Sequence, residues 1–407
     1  MYKSIFSFLA NYVRISSTEY PQNIYIYNRS MMKIKRRKTI ALTTGFVATI
    51  ASTLILNITS KNYSIATRKR NLPFFLGWYD YMNNSVLPAQ VSFEGIDLLM
   101  PYVEKFENTD IQAFLDASKQ AGVQVLLEIY RSLIEAENIS GVKDFINTYK
   151  DHPSVYGWYL YDEPEIKKPT AISPDTLERV YNAIKEEDKS KPVALVFADI
   201  NKIEPYMGAM DILMWDRYPC EQGVEEFKWI SSYQNALNKV VSLAGVNNKK
   251  FYNVLQAYSD NLSNKRLPTK AEFRYMFYLS VLGGADGLLF WAHFISSDSW
   301  NKSVLYPAVK ELQEHIPAII TGEDLSNSVQ VNNLEVKVKL FTIPNTQKYL
   351  MIVVNEKEAR INFTVKLSQG LAGKAVAINQ KTITKLSAQA SFSAFLNPYE
   401  VSLYQIG

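Results

Sequence analysis

The chain predicts a (β/α)8 barrel followed by a small antiparallel β domain, and three observations carry that expectation. From residue 73 to about 324, eight short apolar runs alternate with longer stretches of helical periodicity. After about residue 325 the pattern changes to strand-like runs separated by turn residues. Between them, the fourth apolar run, Val155-Tyr-Gly-Trp-Tyr-Leu-Tyr-Asp-Glu-Pro-Glu165, stops at two adjacent acids, Asp162 and Glu163. Pro164 then prevents the strand from continuing as a central ladder. A buried strand that delivers carboxylates at its C-terminal tip is how such a barrel presents reactive groups.

The first 72 residues carry 12 Lys/Arg and one acid, Glu19, whereas the whole 407-residue chain has a formal charge of only +4. The remainder is therefore mildly acidic, at −7, which argues against a nucleic-acid partner. Residues 1–32 read as a poorly structured tail. Lys33-Ile-Lys-Arg-Arg-Lys38 precedes an uncharged, largely apolar run from Thr39 to about Ile58, about 20 residues and long enough to span a bilayer. The basic cluster before it is denser than Lys61, Arg68, Lys69 and Arg70 after it, which places the N-terminus in the cytoplasm and the bulk outside. The expectation is an anchor helix over residues 33–60 with a linker over 61–72. Cleavage of that segment and secretion is the alternative.

Strands are expected at 74–80, 96–101, 123–130, 155–162, 192–198, 211–216, 250–258 and 286–292, each an apolar run bounded by turn signals. Helical signals lie between them. Ile111, Phe114, Leu115 and Ser118 share one face that stops at Gly122. Ser173-Pro174 gives an N-cap with proline in the first turn, followed by Leu177, Val180, Tyr181 and Ile184. Thr269 and Glu272 fit a capping box ahead of Phe273, Met276, Phe277 and Ser280. A doubly wound open sheet is the structural alternative, but no Gly-x-Gly-x-x-Gly follows the first strand. The barrel is placed at 73–324. Beyond it, runs at 334–340, 349–354, 361–367, 390–395 and 401–405 predict a β-sandwich over 325–407.

The single cysteine, Cys220, allows no intrachain disulfide, and His152, His293 and His315 show no metal-ligand spacing. No metal and no cofactor is implied. The strand tips instead concentrate acids and rings: Trp78 and Asp80; Glu128; Tyr161, Asp162 and Glu163; Asp216 and Tyr218; Gln256 and Tyr258; Trp291. Flat rings can stack on sugar faces, and carboxylates bind hydroxyls or move protons. Glycoside cleavage usually needs two carboxyl groups, one of them a proton donor with a raised pKa. Glu163 is the expected donor, because Asp162 beside it and the neighbouring rings disfavour its charge.

Tyr156-Gly-Trp-Tyr-Leu-Tyr-Asp-Glu-Pro resembles the fourth-strand motif of the large clan of (β/α)8-barrel glycoside hydrolases, in which a Glu at this tip is the acid/base. His152-Pro153 and the eighth-strand run Gly287-Leu-Leu-Phe-Trp-Ala292 fit the same resemblance. It implies a glycosidase acting on extracellular or cell-envelope polysaccharide, with Trp78, Tyr161, Tyr218, Tyr258 and Trp291 as the sugar platform. It also exposes two departures. The clan has Asn before the acid/base Glu, where this chain has Asp162, and a nucleophilic Glu on the seventh strand, where this chain offers Gln256. Three readings stay open. The second carboxylate is Asp216, or failing that Glu128 or Asp260. Alternatively, the substrate's own acetamido group is the nucleophile, oriented by Asp162. Or the barrel binds glycan, or serves its assembly, without cleaving it.

Overall fold

The computed structural model describes residues 73–82, 87–103, 110–166, 172–368, 374–377, 382–385 and 391–407. The expected tail, anchor and linker over residues 1–72 lie outside the described residues. Among the described residues, no helix is long and apolar enough to cross a membrane.

All eight expected barrel strands are present: β1 (Phe75–Tyr81), β2 (Leu98–Tyr102), β3 (Gln124–Glu128), β4 (Val155–Asp162), β5 (Val193–Phe197), β6 (Ile212–Asp216), β7 (Lys250–Gln256) and β8 (Gly287–Trp291). They close into a parallel barrel in sequence order, with β1 pairing β8. The helices between them are α1 (Leu87–Phe93), α2 (Ile111–Ala121), α3 (Arg131–Glu135), α4 (Ile139–Tyr149), α5 (Pro174–Glu187), α6 (Ile230–Val246), α7 (Lys270–Gly283) and, after β8, α8 (Tyr306–Thr321). Their ends follow the sequence signals. Gly122 closes α2 in the left-handed conformation at φ 70°. The Ser173 hydroxyl accepts from Thr176 N at the start of α5, and Thr269 and Glu272 form the full capping box of α7.

Parity along the strands sorts side chains into two layers. Phe75, Tyr79, Leu98, Met100, Tyr102, Leu126, Tyr159, Val196, Met214, Val254 and Leu289 fill the barrel interior. Leu76, Trp78, Leu127, Leu195, Leu213, Trp215, Leu255 and Phe290 face the helices. Because both faces are apolar, the strands read as continuous runs rather than alternating ones.

The C-terminal region holds eight strands: β9 (Val329–Val331), β10 (Val336–Thr342), β11 (Tyr349–Asn355), β12 (Ile361–Leu367), β13 (Lys374–Ala377), β14 (Thr382–Lys385), β15 (Ser391–Leu396) and β16 (Val401–Ile406). They form a five-stranded sheet, β10-β11-β16-β13-β14, and a three-stranded sheet, β15-β12-β9. Three of these strands were not expected. β9, β13 and β14 span only three or four residues each, too short for a period-2 pattern to register. The first expected strand also starts two residues late, since Leu334 is almost fully exposed and β10 begins at Val336.

The sandwich is not an appendage on a linker. Met351, Val353, Tyr404 and Ile406 pack between the two sheets. Leu350, Ile352, Val354, Val401 and Leu403, on the other face of β11 and β16, belong to the same apolar cluster as the barrel's helix layer. Arg274 on α7 donates to Val401 O and ion-pairs with Glu311 on α8 at 2.8 Å. Tyr399 meets Phe227 of the barrel at 4.7 Å between ring centroids.

Candidate active site

The C-terminal end of β4 is shaped by a register shift against β5. Tyr159 stands opposite Ala194 and Tyr161 opposite Leu195, so Leu160 is an extra residue. Regular alternation from the inward-facing Tyr159 would put Tyr161 inside and Asp162 outside. The bulge reverses this. Tyr161 packs in the outer layer, where its hydroxyl donates to Glu135 at 2.6 Å, and Asp162 turns inward to accept from the Tyr159 hydroxyl at 3.0 Å. The second Asp162 oxygen lies 3.7 Å from the Arg131 guanidinium, which sits 5.0 Å over the Tyr161 ring.

Glu163 follows in the left-handed region, at φ 46°, while its N–H still donates to Val196 O at 3.1 Å. A non-glycine residue held there is strained, and such strain is found where a side chain must be aimed. The next segment is pinned to β5. Glu165, only 5 % exposed, accepts from Ala198 N at 2.8 Å and Asp199 N at 2.9 Å.

Asp216, at the tip of β6, stands close enough to Glu163 and Asp162 for their charges to act on it. Asp216 is buried, its Oδ2 accepts from the Tyr218 hydroxyl at 3.0 Å, and its Oδ1 has no hydrogen-bond partner among the described residues. Burial pushes the Asp216 carboxyl well above the usual carboxylate range, and the charges of Glu163 and Asp162 push it further; Tyr218 opposes them weakly. Burial, and then Asp162, also raise the Tyr102 and Tyr159 phenols, so these rings remain protonated donors around the acids.

Over these acids stands a ring cluster centred on Trp291. Tyr218 stacks on it at 5.5 Å and 26°, and Tyr258 meets it edge-on at 4.5 Å and 84°. The indole N–H donates to the Tyr102 hydroxyl at 3.1 Å, and Phe294 closes one side at 6.1 Å. Trp291 itself is half-buried, so the cluster is open to a ligand on one side.

Of the residues the sequence singled out, Asp162, Glu163, Asp216, Tyr218, Tyr258 and Trp291 come together. The other six do not join this group. Trp78 is fully buried outside the barrel wall against Phe290, at 5.4 Å, and cannot offer a face to a sugar. Tyr161 is turned outward by the bulge. Asp80 accepts from Tyr81 N and pairs with His293 Nδ1, both at 2.6 Å, beside Trp78. Glu128 points inward but is 6 % exposed and accepts from Val103 N at 2.6 Å. Gln256 is fully buried, and its amide is consumed by the backbone. It accepts from Cys220 N at 2.8 Å and donates to Cys220 O at 3.0 Å and Arg266 O at 2.8 Å. It fastens two loops together rather than facing a substrate. Asp260 caps its own turn through Leu262 N, Ser263 N and the Ser263 hydroxyl.

Sequence reasoning did not place Tyr102 and Tyr159 at the site, nor pair Arg131 with Asp162. Residue type at a strand tip is visible in sequence, but parity is not, because both faces of these strands are apolar. Among the described residues, no group of three or more His, Cys, Asp or Glu is arranged to hold a metal ion.

No family model matches the chain, and no curated protein does. Solved structures do. A family 39 glycoside hydrolase from Bacteroides cellulosilyticus superposes with a TM-score of 0.54 at 12 % identity, covering 83 % of this chain and 81 % of that one. A GH30 endoxylanase from Clostridium papyrosolvens gives 0.52 at 12 % identity, covering 83 % and 97 %. An alpha-amylase from Geobacillus thermoleovorans gives 0.51 at 8 % identity, covering 82 % and 98 %. At such identities the likeness is one of fold. The chain has the (β/α)8 barrel that these glycoside hydrolases share.

Proposed function

We propose that the protein is a glycoside hydrolase with Glu163 as its proton donor. The observation that carries this reading is the gathering of Glu163 and the buried Asp216 at neighbouring strand tips with the Trp291, Tyr218 and Tyr258 rings, where burial and then the Glu163 and Asp162 charges raise the Asp216 carboxyl. A donor must hold a proton near neutral pH and release it to the departing oxygen as the glycosidic bond breaks. Glu163 is the more exposed of the two acids and would face that oxygen, with Asp216 buried behind it. Trp291 offers the face on which a pyranose stacks. The substrate is an oligosaccharide or polysaccharide outside the cytoplasm, reached by a protein anchored through residues 33–60 or released after their cleavage. Protease protection of the barrel in spheroplasts, set against its digestion after lysis, tests which side it occupies; digestion in intact spheroplasts supports the outside placement and protection overturns it.

Sugar release from a panel of polysaccharides and aryl glycosides tests the activity. The native protein should release sugar, and Glu163→Gln should lose about 10²–10⁴-fold in kcat while still binding. Gln256 supports a second reading, a glycan-binding or polysaccharide-assembly protein that does not cleave. Its amide occupies the strand tip where a clan nucleophile would stand, and that amide is fully engaged with the backbone. Binding without release by either protein would favour this second reading.

A further inference from the structure

Resting on the carbohydrate reading of the barrel, we infer that the outer face of the sheet β15-β12-β9 is a second binding surface, one that holds an acidic polysaccharide chain. The inference starts from charge. Residues 325–407 hold nine Lys/Arg and four acids, whereas the barrel, 73–324, holds 23 Lys/Arg and 35 acids. The four acids of the sandwich are already engaged. Glu335 pairs with Lys357 at 3.7 Å, Glu356 with Lys337 at 2.6 Å and Glu358 with Lys228 at 2.8 Å. Glu400 accepts from Asn397 N at 2.8 Å and from the Ser402 hydroxyl at 3.1 Å. Strands β9, β12 and β15 contain no Asp or Glu. Arg360, just before β12, and Lys366, near its end, are both exposed, and neither has an acidic partner among the described residues.

Parity along the strands puts these cations on one face with neutral polar groups. Phe363, Val365, Phe392 and Leu396 pack inward between the two sheets. Asn362, Thr364 and Lys366 therefore face outward from β12, and Ser393 and Phe395 face outward from β15. The register sets Asn362 beside Phe395, Thr364 beside Ser393 and Lys366 beside Gln330 of β9. The Thr364 and Ser393 hydroxyls lie 2.8 Å apart, and Asn332 Oδ1 accepts from Thr364 N at 2.7 Å. With Asn362 they line an open recess in the face. At one end the Arg360 guanidinium lies 3.7 Å over the exposed Phe395 ring. The ring steadies the guanidinium and leaves its fork of N–H donors for an oxyanion. From Arg360 to Lys366 the strand runs about 20 Å.

Two cations one strand-length apart, with hydroxyl and amide groups between them, fit a chain that carries both negative charges and hydroxyls. A membrane surface supplies the charge but is met by a broad apolar face rather than by a polar recess. An acidic polypeptide supplies the charge without the hydroxyls. The face takes no part in bond cleavage. It holds the chain where the barrel, with its excess of acids, would repel a polyanion.

The test measures binding of the full-length protein to immobilised polygalacturonate and hyaluronan, to neutral dextran and unsubstituted xylan, to polyglutamate, and to vesicles of phosphatidylglycerol and phosphatidylcholine, with sugar release followed in parallel. The acidic polysaccharides should bind, and less tightly as salt rises. The double variant Arg360→Ala, Lys366→Ala should weaken that binding by about tenfold or more, with the thermal midpoint, vesicle binding and sugar release unchanged. Lys348→Ala, at an exposed cation beside β11 on the other sheet, should leave it intact. An equal loss in Lys348→Ala would assign the binding to net charge and overturn the inference. So would equal affinity for polyglutamate or for the neutral polymers, or vesicle binding that falls in the double variant while polysaccharide binding does not. Failure to bind either acidic polysaccharide would overturn it as well; sugar release from any other glycan would then leave the barrel reading standing, and neither release nor binding of any glycan would remove both.

Discussion

Burial first, and then the charges of Glu163 and Asp162, raise the Asp216 carboxyl well above the usual carboxylate range, so Asp216 keeps a proton where a lone carboxyl would lose it. Asp216→Asn removes this titrating group but keeps its shape. The alkaline limb of the pH–kcat/KM profile should then move to lower pH, by about one unit. An unmoved limb would show that Asp216 is not the group the profile reports. Gln256 makes the opposite point, since its position suggests a lost nucleophile but its contacts show a structural role. Gln256→Glu would turn donors to Cys220 O and Arg266 O into an acceptor facing acceptors, in a fully buried place. It should destabilise the protein by about 3–5 kcal/mol without restoring a nucleophile, measured by denaturant unfolding alongside activity.

At the scale of elements, two short devices position the site. The β4 bulge sets which of Tyr161 and Asp162 faces the axis, and the sequence shows no sign of it, because a one-residue insertion among apolar and aromatic residues leaves no composition signature. The capping box of α7 was legible, yet it does more than cap. Glu272 is fully buried and accepts from Arg266 Nη1 at 2.7 Å, Trp229 Nε1 at 3.0 Å and Phe227 N at 3.1 Å, tying the loops after β6 and β7 to the helix. Burial alone would raise its pKa, but Arg266 and the other donors outweigh burial and hold it down to about 2. Because the folded value lies below the unfolded one, near 4.3, this group's stabilisation is complete above the unfolded pKa and lost as pH falls through the folded one. Glu272→Ala should cost about 3 kcal/mol at neutral pH and flatten the acid limb of the stability curve between about pH 4.5 and pH 2, as read by urea titration at each pH.

For the whole molecule, the shared apolar layer between the sandwich and the barrel's helices predicts one cooperative thermal transition for the folded region. Truncation after residue 324 would expose the faces that Leu350, Ile352 and Leu403 cover, and should give an insoluble or much less stable barrel. Two resolved transitions, or a truncated barrel of unchanged stability, would contradict this. The barrel order and all eight of its strands were readable because each strand is a compact apolar run between turn signals. The sandwich was read in outline, its short strands escaping for want of length. The site was read at the level of acids and rings on strand tips. What sequence could not supply was direction: Trp78 and Tyr161 fit the chemistry by type and face the wrong way, whereas Tyr102 and Tyr159 complete the site from positions that type alone did not mark.

The central claim, Glu163 as proton donor, is tested most directly by the dependence of the Glu163→Gln loss on the leaving group. A departing phenol that needs no protonation bypasses a missing acid. The account predicts that the variant loses about 10²–10⁴-fold on alkyl or simple phenyl glycosides and retains near-native rates of bond cleavage on dinitrophenyl glycosides. An equal loss on both, with fold and binding intact, would contradict it.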